Sequence, residues 1–199
     1  MLHLSSKAKR SLILAGIGVL LIALSPFFNQ IEARFKLASQ EVSASAEYDA
    51  GSSLLSLGSG REEVVVYFWW RCPYCKKLFI EYRDVLAHPP ASKRFLLKPV
   101  DFSPQDTLMT ANVLCAPQEE KVEVLFRIVE GEPPKEVSEA CLNEAKSLGE
   151  RVRAEWEQIG FKWTPALVVK GVPISLDKMT EMTEEDYDEL FGKASESKP

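Results

Sequence analysis

Apolar positions follow two spacings in turn along the chain. Val64-Val65-Val66-Tyr67-Phe68-Trp69-Trp70 is a continuous β-branched and aromatic run, too short to span a membrane, and predicts a buried strand. The spacing then widens to Leu78, Phe79, Tyr82, Val85 and Leu86, which predicts a helix ended by His88-Pro89-Pro90. Phe95 to Phe102 predicts a second strand, with Pro99 marking an edge or a strand end. Strand, helix, strand makes a right-handed βαβ unit. A helical stretch follows over residues 103–160. Ser103, Pro104 and Asp106 open it with an approximate capping box, Pro117 starts a helix with Val122, Leu125, Phe126 and Val129 on one face, and Gly131-Glu132-Pro133-Pro134 interrupts. A last helix carries Leu148, Val152, Trp156 and Ile159 on one stripe and stops at Gly160. Ala166–Val169 and Val172–Ile174 read as a hairpin around Lys170-Gly171, and Thr183 caps a terminal helix through Tyr187, Leu190 and Phe191. Before all of these, Leu54 to Leu57 reads as a short strand. The fold class is therefore α/β, a central sheet flanked by helices, with a helical insertion.

The N-terminus follows another pattern. Ser11 to Phe28 is uncharged for 18 residues and is preceded by Lys7, Lys9 and Arg10. At a helical rise this is about 27 Å, enough for a bilayer core. It predicts a transmembrane signal anchor over 11–28 behind a cytoplasmic basic tail over 1–10. A cleaved signal peptide is the competing reading, but Ala44-Ser45-Ala46 lies too far from the apolar stretch to be its cleavage site. Three positive charges before the span, against Arg34 and Lys36 after it, put the body on the outer side of the membrane. Residues 29–60, rich in Ser, Ala and Gly towards their end, read as a linker. The globular domain covers 61–193, and 194–199 are a tail.

Composition adds limits. With 199 residues, 46% hydrophobic and 27% charged, the chain has room for one domain with a sizeable core. Beyond the first three cations, 21 basic residues stand against 29 acidic ones, a poor match for nucleic acid, which is not expected as a partner. Four cysteines suit an oxidising compartment.

The chemistry is concentrated where strand meets helix. Cys72-Pro73-Tyr74-Cys75 directly follows the first apolar run, so Cys72 falls at a helix N-terminus, where unpaired amide groups and the helix dipole favour a thiolate. Arg71, Lys76 and Lys77 act in the same direction. Zinc is the competing use of such a pair. It would need further thiolates or imidazoles at ligand spacing, and Cys115, Cys141, His3 and His88 form no second C-x-x-C or H-x-x-x-H. No metal and no cofactor are expected.

Cys72-Pro73-Tyr74-Cys75 after a strand, with Thr164-Pro165 before a late hairpin, resembles the thioredoxin superfamily. Over residues 62–192 the pattern is most similar to the catalytic domain of bacterial DsbC/DsbG-type disulfide isomerases, which have an aromatic-flanked C-x-Y-C, a helical insertion with its own cysteine pair, here Cys115 and Cys141, and a Thr before a cis-proline. The resemblance implies a thioredoxin-like fold with a mixed sheet. It implies that Cys72 attacks, that Cys75 resolves, and that Thr164, Pro165, Pro73 and Tyr74 receive the substrate chain. It also implies a structural disulfide between Cys115 and Cys141, a pairing that leaves the C-x-x-C free. Two features depart from the family: an anchor and linker are read where those isomerases carry a dimerisation domain, and Val66 stands where thioredoxin has a buried acid. Trp70 and Trp163 flank the two active-site loops and are candidates for an apolar peptide-binding surface.

These readings predict a single-pass protein of the bacterial inner membrane with its catalytic domain in the periplasm. Its partners would be exported cysteine-containing clients and a membrane redox partner. It would reduce or isomerise disulfides. The alternatives are a DsbA-like thiol oxidase, suggested by Pro73, and a thioredoxin-fold chaperone or assembly factor with little redox turnover.

Overall fold

The structure, a computed structural model, describes residues 47–193. The basic tail, the anchor over 11–28, the linker before residue 47 and the tail 194–199 lie outside the described residues. Among the described residues, no helix is long and apolar enough to cross a membrane.

Five strands form one mixed sheet in the order β1-β3-β2-β4-β5. Strand β2 (Glu62–Phe68) is central, and Val64 to Phe68 are all buried because both faces of the sheet are covered. It runs parallel to β3 (Lys93–Pro99), with Val66 opposite Leu97 and Phe68 opposite Pro99. The sequence pattern extends both strands too far. Trp69 and Trp70 leave the sheet as the chain turns towards the cysteines. β3 stops at Pro99, not Phe102, and it is an interior strand whose proline sits at the end, where the missing N–H costs nothing. The crossover between β2 and β3 is two helices, α1 (Pro73–Glu81) and α2 (Arg83–Ala87), broken at Tyr82.

The helical insertion contains α3 (Pro104–Leu114), α4 (Lys121–Glu130) and α5 (Glu139–Ile159). Pro117 opens a turn in which the Glu120 N–H donates to the Pro117 carbonyl, so α4 starts four residues later than its proline suggests. α3 packs on α4 and α5, α4 on α1, and α5 on β3. The hairpin β4 (Ala166–Val169) and β5 (Val172–Pro173) closes the sheet beyond β2. Its two turn residues, Lys170 and Gly171, both have positive φ (52° and 79°), the combination a two-residue hairpin turn requires. The short α6 (Leu176–Glu181) has no periodic signal in the sequence beyond its Ser175 cap. It buries only Met179, and six residues are too few to show a helical period. The last helix, α7 (Glu184–Phe191), starts with the Thr183 capping box and docks by stacking Phe191 on Tyr82 and Phe95, with ring centroids 4.3 and 5.5 Å apart.

Residues 47–60 are not a free linker, which corrects the expected boundary, while the short strand read at Leu54 to Leu57 is present as β1 (Leu55–Leu57). It pairs antiparallel with β3, and Leu54 and Leu55 are buried. Just before it, Asp49 caps a single 3-10 turn, Ala50–Ser52. The physical reason is Lys98, a fully buried lysine on β3. Its ammonium group donates to the Asp49 carbonyl (2.6 Å), Ser52 Oγ (2.7 Å) and Glu155 Oε1 of α5 (2.7 Å). Small residues that look like linker composition here allow the backbone to reach a buried cation.

Cys115, at the end of α3, is disulfide-bonded to Cys141 in the first turn of α5, 26 residues away. Closing a loop of that length should stabilise the fold by about 3.5 kcal/mol, through the unfolded chain. Urea unfolding of the Cys115→Ala/Cys141→Ala variant is expected to show that loss. An unchanged midpoint would mean that the cross-link contributes nothing.

Candidate active site

β2 ends at Phe68 and the chain turns through Trp69-Trp70-Arg71, with the Cys72 N–H donating to the Trp69 carbonyl at 3.0 Å. Cys72 is the N-cap of α1, with extended backbone (φ −76°, ψ 121°), and Pro73 follows at the first helical position, where its missing donor is harmless. Cys75 comes three residues after Cys72, on the same side of the helix. Tyr74 points away and is 73% exposed.

The two sulfurs differ. Both thiols are free, with Cys72 6% exposed and Cys75 1%. Burial pushes the Cys75 thiol well above its ordinary range, so it is neutral in neutral solution. Cys72 Sγ lies 3.1 Å from the Thr164 carbonyl oxygen, to which the thiol donates. The Thr164–Pro165 peptide bond is cis. Thr164 and Pro165 lie just before β4. Its outer ladder with β5 ends with the Ile174 N–H donating to the Leu167 carbonyl (2.8 Å), so Thr164 projects past the paired part of the sheet.

The loop before Cys72 is fixed by α3. Asp106, fully buried, accepts from Arg71 Nε (3.1 Å), Trp69 Nε1 (3.2 Å), Ser103 Oγ (2.8 Å) and the Phe102 N–H (3.1 Å). Arg71 also lies over the Trp69 ring, 5.1 Å from its centroid. Trp70 Nε1 donates to Thr110 Oγ1 (2.9 Å), with both residues buried. Trp70 is therefore a buried anchor and not part of a peptide-binding surface, because its only polar atom is used inside. Trp163 is half-buried, and its carbonyl accepts from Trp156 Nε1. Asp106 and Thr110 escape sequence reading as site supports. Asp106 has a capping signal through Ser103, but nothing in the pattern shows that the same carboxylate reaches Arg71.

On the opposite side of α1, a groove of about 300 Å3 is lined by Tyr74, Leu78, Tyr82, Pro165, Met182 and Tyr187, with Lys77, Glu81 and Glu184 also around it. It joins the Pro165 loop to the connection between α6 and α7. Among the described residues, no group of three or more His, Cys, Asp or Glu side chains converges where a metal ion could be held.

A comparison with protein-family models finds no match, and a comparison with the curated proteins finds none either. Solved structures share the architecture. BdbD from Bacillus subtilis, in an oxidised form, superposes with a TM-score of 0.54 at 14% identity, over 76% of this chain and 100% of that one. A periplasmic thioredoxin-like protein from Salmonella enterica serovar Typhimurium gives 0.53 at 15%, over 76% and 96%. A protein-disulfide isomerase from Novosphingobium aromaticivorans gives 0.50 at 12%, over 68% and 96%. None of these singles out the DsbC/DsbG-type isomerases. The fold of the described residues is thioredoxin-like.

Proposed function

We propose that this chain is a thiol–disulfide oxidoreductase that acts on disulfides of exported proteins, using Cys72 and Cys75 as a redox pair. The observation that carries the reading is the placement of Cys72: the outer of two free thiols, at a helix N-terminus, with its sulfur against the Thr164 carbonyl at the unpaired end of a sheet. A client chain can add beside Thr164 as a further strand, which brings its disulfide to Cys72. The groove beside Tyr74 and Pro165 has the size and apolar lining to take a neighbouring client side chain.

The Cys72 thiolate attacks one sulfur of the client disulfide. The client S–S bond breaks, a Cys72–client disulfide forms, and the departing client sulfur takes a proton. Helix N–H groups stabilise negative charge at Cys72 as it leaves or attacks. Cys75, kept neutral by burial, then loses its proton and attacks Cys72 Sγ. The Cys72–client bond breaks, the second client sulfur departs and takes up the proton that Cys75 gave up, and Cys72–Cys75 becomes the disulfide. Two electrons have moved from the pair to the client, and a redox partner must return them. If the client's own thiol attacks first, the outcome is isomerisation and no net electrons move. Anchoring through residues 11–28 would hold this domain on the periplasmic side of the inner membrane, where exported clients fold.

The test is turnover. The full chain with a thiol reductant is expected to accelerate reduction of insulin disulfides well above the reductant alone. Folded protein that binds unfolded clients but gives no acceleration would overturn this reading in favour of a chaperone or assembly factor.

A further inference from the structure

One half-buried carboxyl near the active-site loop has no part in the thiol chemistry above. Asp101 follows β3, and its Oδ1 accepts from Thr110 Oγ1 at 3.0 Å. Thr110, fully buried on α3, accepts in turn from Trp70 Nε1 at 2.9 Å. Trp70 precedes Cys72 by two residues and packs edge-on against Phe68 (5.0 Å), which meets Phe79 of α1 at 4.9 Å. A continuous path of hydrogen bonds and ring contacts therefore leads from Asp101 to the loop and helix that carry both cysteines. The other carboxyl oxygen, Oδ2, is shielded from solvent and has no hydrogen-bond partner. Gly149 of α5 lies so close that a Cβ there would come within 3.0 Å of it.

The surroundings do not neutralise the group. From α3, Asp106 repels it, and Arg71 is already paired with Asp106. Asp101 lines a cavity of about 680 Å3 to which α5 contributes Lys146, Glu150 and Arg153, and Arg153 is paired with Glu157. From β3, Lys98 is paired with Glu155. Burial pushes the Asp101 carboxyl up to about 7, against the pull of the Thr110 hydroxyl and, more weakly, of the Trp70 indole N–H.

We propose that Asp101 is a positioning residue for the Cys72–Cys75 chemistry, its protonation state setting, through Thr110 and Trp70, how the Trp69–Arg71 loop presents Cys72. This rests on the oxidoreductase reading above. When ionised, Asp101 can only accept, so the Thr110 hydroxyl points its proton at the carboxylate and its lone pairs at Trp70. When protonated from solvent, Asp101 can donate to Thr110 Oγ1. The Thr110 proton then turns to its own helix backbone, its oxygen accepts from both Asp101 and Trp70, and the Trp70 bond loses the polarisation that donation to a carboxylate gave it.

The test is the alkylation rate of Cys72 by iodoacetamide from pH 5 to 9 in the full chain, with wild type compared with Asp101→Asn and Thr110→Val. Wild type is expected to show an inflection near Asp101's pKa of about 7. Asp101→Asn should lack it, matching wild type at pH 5.5 and differing from it by about threefold at pH 8, equivalent to roughly half a pKa unit. Thr110→Val should lose the inflection while infrared spectra still show the Asp101 carboxyl titrating. Folding does not confound the comparison. A carboxyl with a raised folded-state pKa stabilises the protein below its unfolded pKa, and that stability is lost as pH rises through about 7. The neutral asparagine removes this loss, so the variant should fold at least as well as wild type at pH 8. Superimposable profiles for folded wild type and Asp101→Asn would overturn the proposal, as would an inflection that persists in Thr110→Val. Alkylation needs no disulfide substrate. A protein that shows the inflection but cannot reduce insulin would count against the oxidoreductase reading alone.

Discussion

Glu155→Ala is expected to lower the stability of the folded domain by about 3–5 kcal/mol, the range found when one partner of a buried ion pair is removed. The Lys98 side chain is wholly inside, with its ammonium group against two neutral oxygens, of Asp49 and Ser52, and one carboxylate, Glu155. Tyr67 also donates its hydroxyl to Glu155, and Ser52 and the Asp49 N–H donate to the same carboxylate. Removing Glu155 thus leaves a cation without a counter-charge and frees two donors, the Tyr67 hydroxyl and the Asp49 N–H, while Ser52 Oγ keeps the Asp49 carbonyl as acceptor at 2.8 Å. Burial already pushes the Lys98 ammonium below its ordinary range, with Glu155 and then Asp49 pulling it back up. Losing Glu155 lowers it further, and this fixes the sign of the pH effect. A group whose folded-state pKa is depressed destabilises the fold progressively as pH falls through that value, so the deficit should be largest at neutral pH and shrink as pH approaches 10. Urea unfolding at pH 7 and 9.5 measures both terms. Lys98→Met/Glu155→Leu should recover most of the loss, because the buried charge goes with its partner. A cost below 1 kcal/mol for Glu155→Ala would mean that water reaches Lys98.

Cys72→Ser is expected to abolish turnover entirely, leaving only the background rate of the reductant. A hydroxyl at this position is not ionised near neutral pH and cannot form the mixed disulfide, so no residual pathway remains. Cys75→Ser should behave differently. It still attacks, but the covalent intermediate can be released only by an outside thiol, so turnover falls while client-linked protein accumulates. Equal behaviour of the two variants would contradict the assignment of attacking and resolving roles.

How far the sequence can be read depends on the range of each interaction. β2 is legible because five consecutive buried side chains, Val64 to Phe68, need no partner to be recognised as core. The junction at Cys72 is legible because Pro73 and the helical spacing after it are local. The Ser175 cap of α6 is local too, but the helix beyond it buries only Met179 and leaves no pattern. Within 47–60 the strand at Leu54 to Leu57 is legible, but residues 47–53 mislead because Lys98 and Glu155, dozens of residues away, hold Asp49 and Ser52, and composition carries no record of such partners. The supports of the site fail for the same reason. Asp106 reads as a capping residue, and Asp101 and Thr110 as ordinary polar positions, until the fold places all three behind Trp69, Trp70 and Arg71. Of the thiol pair itself, the sequence carries the motif, and the fold adds that one sulfur is buried deeper than the other.

The central claim is that Cys72 forms and passes on a disulfide with a client. Incubating the Cys75→Ala variant with a peptide containing one disulfide, then quenching with acid and measuring intact mass, tests it most directly. The account predicts a single peptide adduct per chain, mapping to Cys72 and removed by added thiol, with Cys115–Cys141 intact. An adduct on Cys115 or Cys141, or none on folded protein, would contradict it.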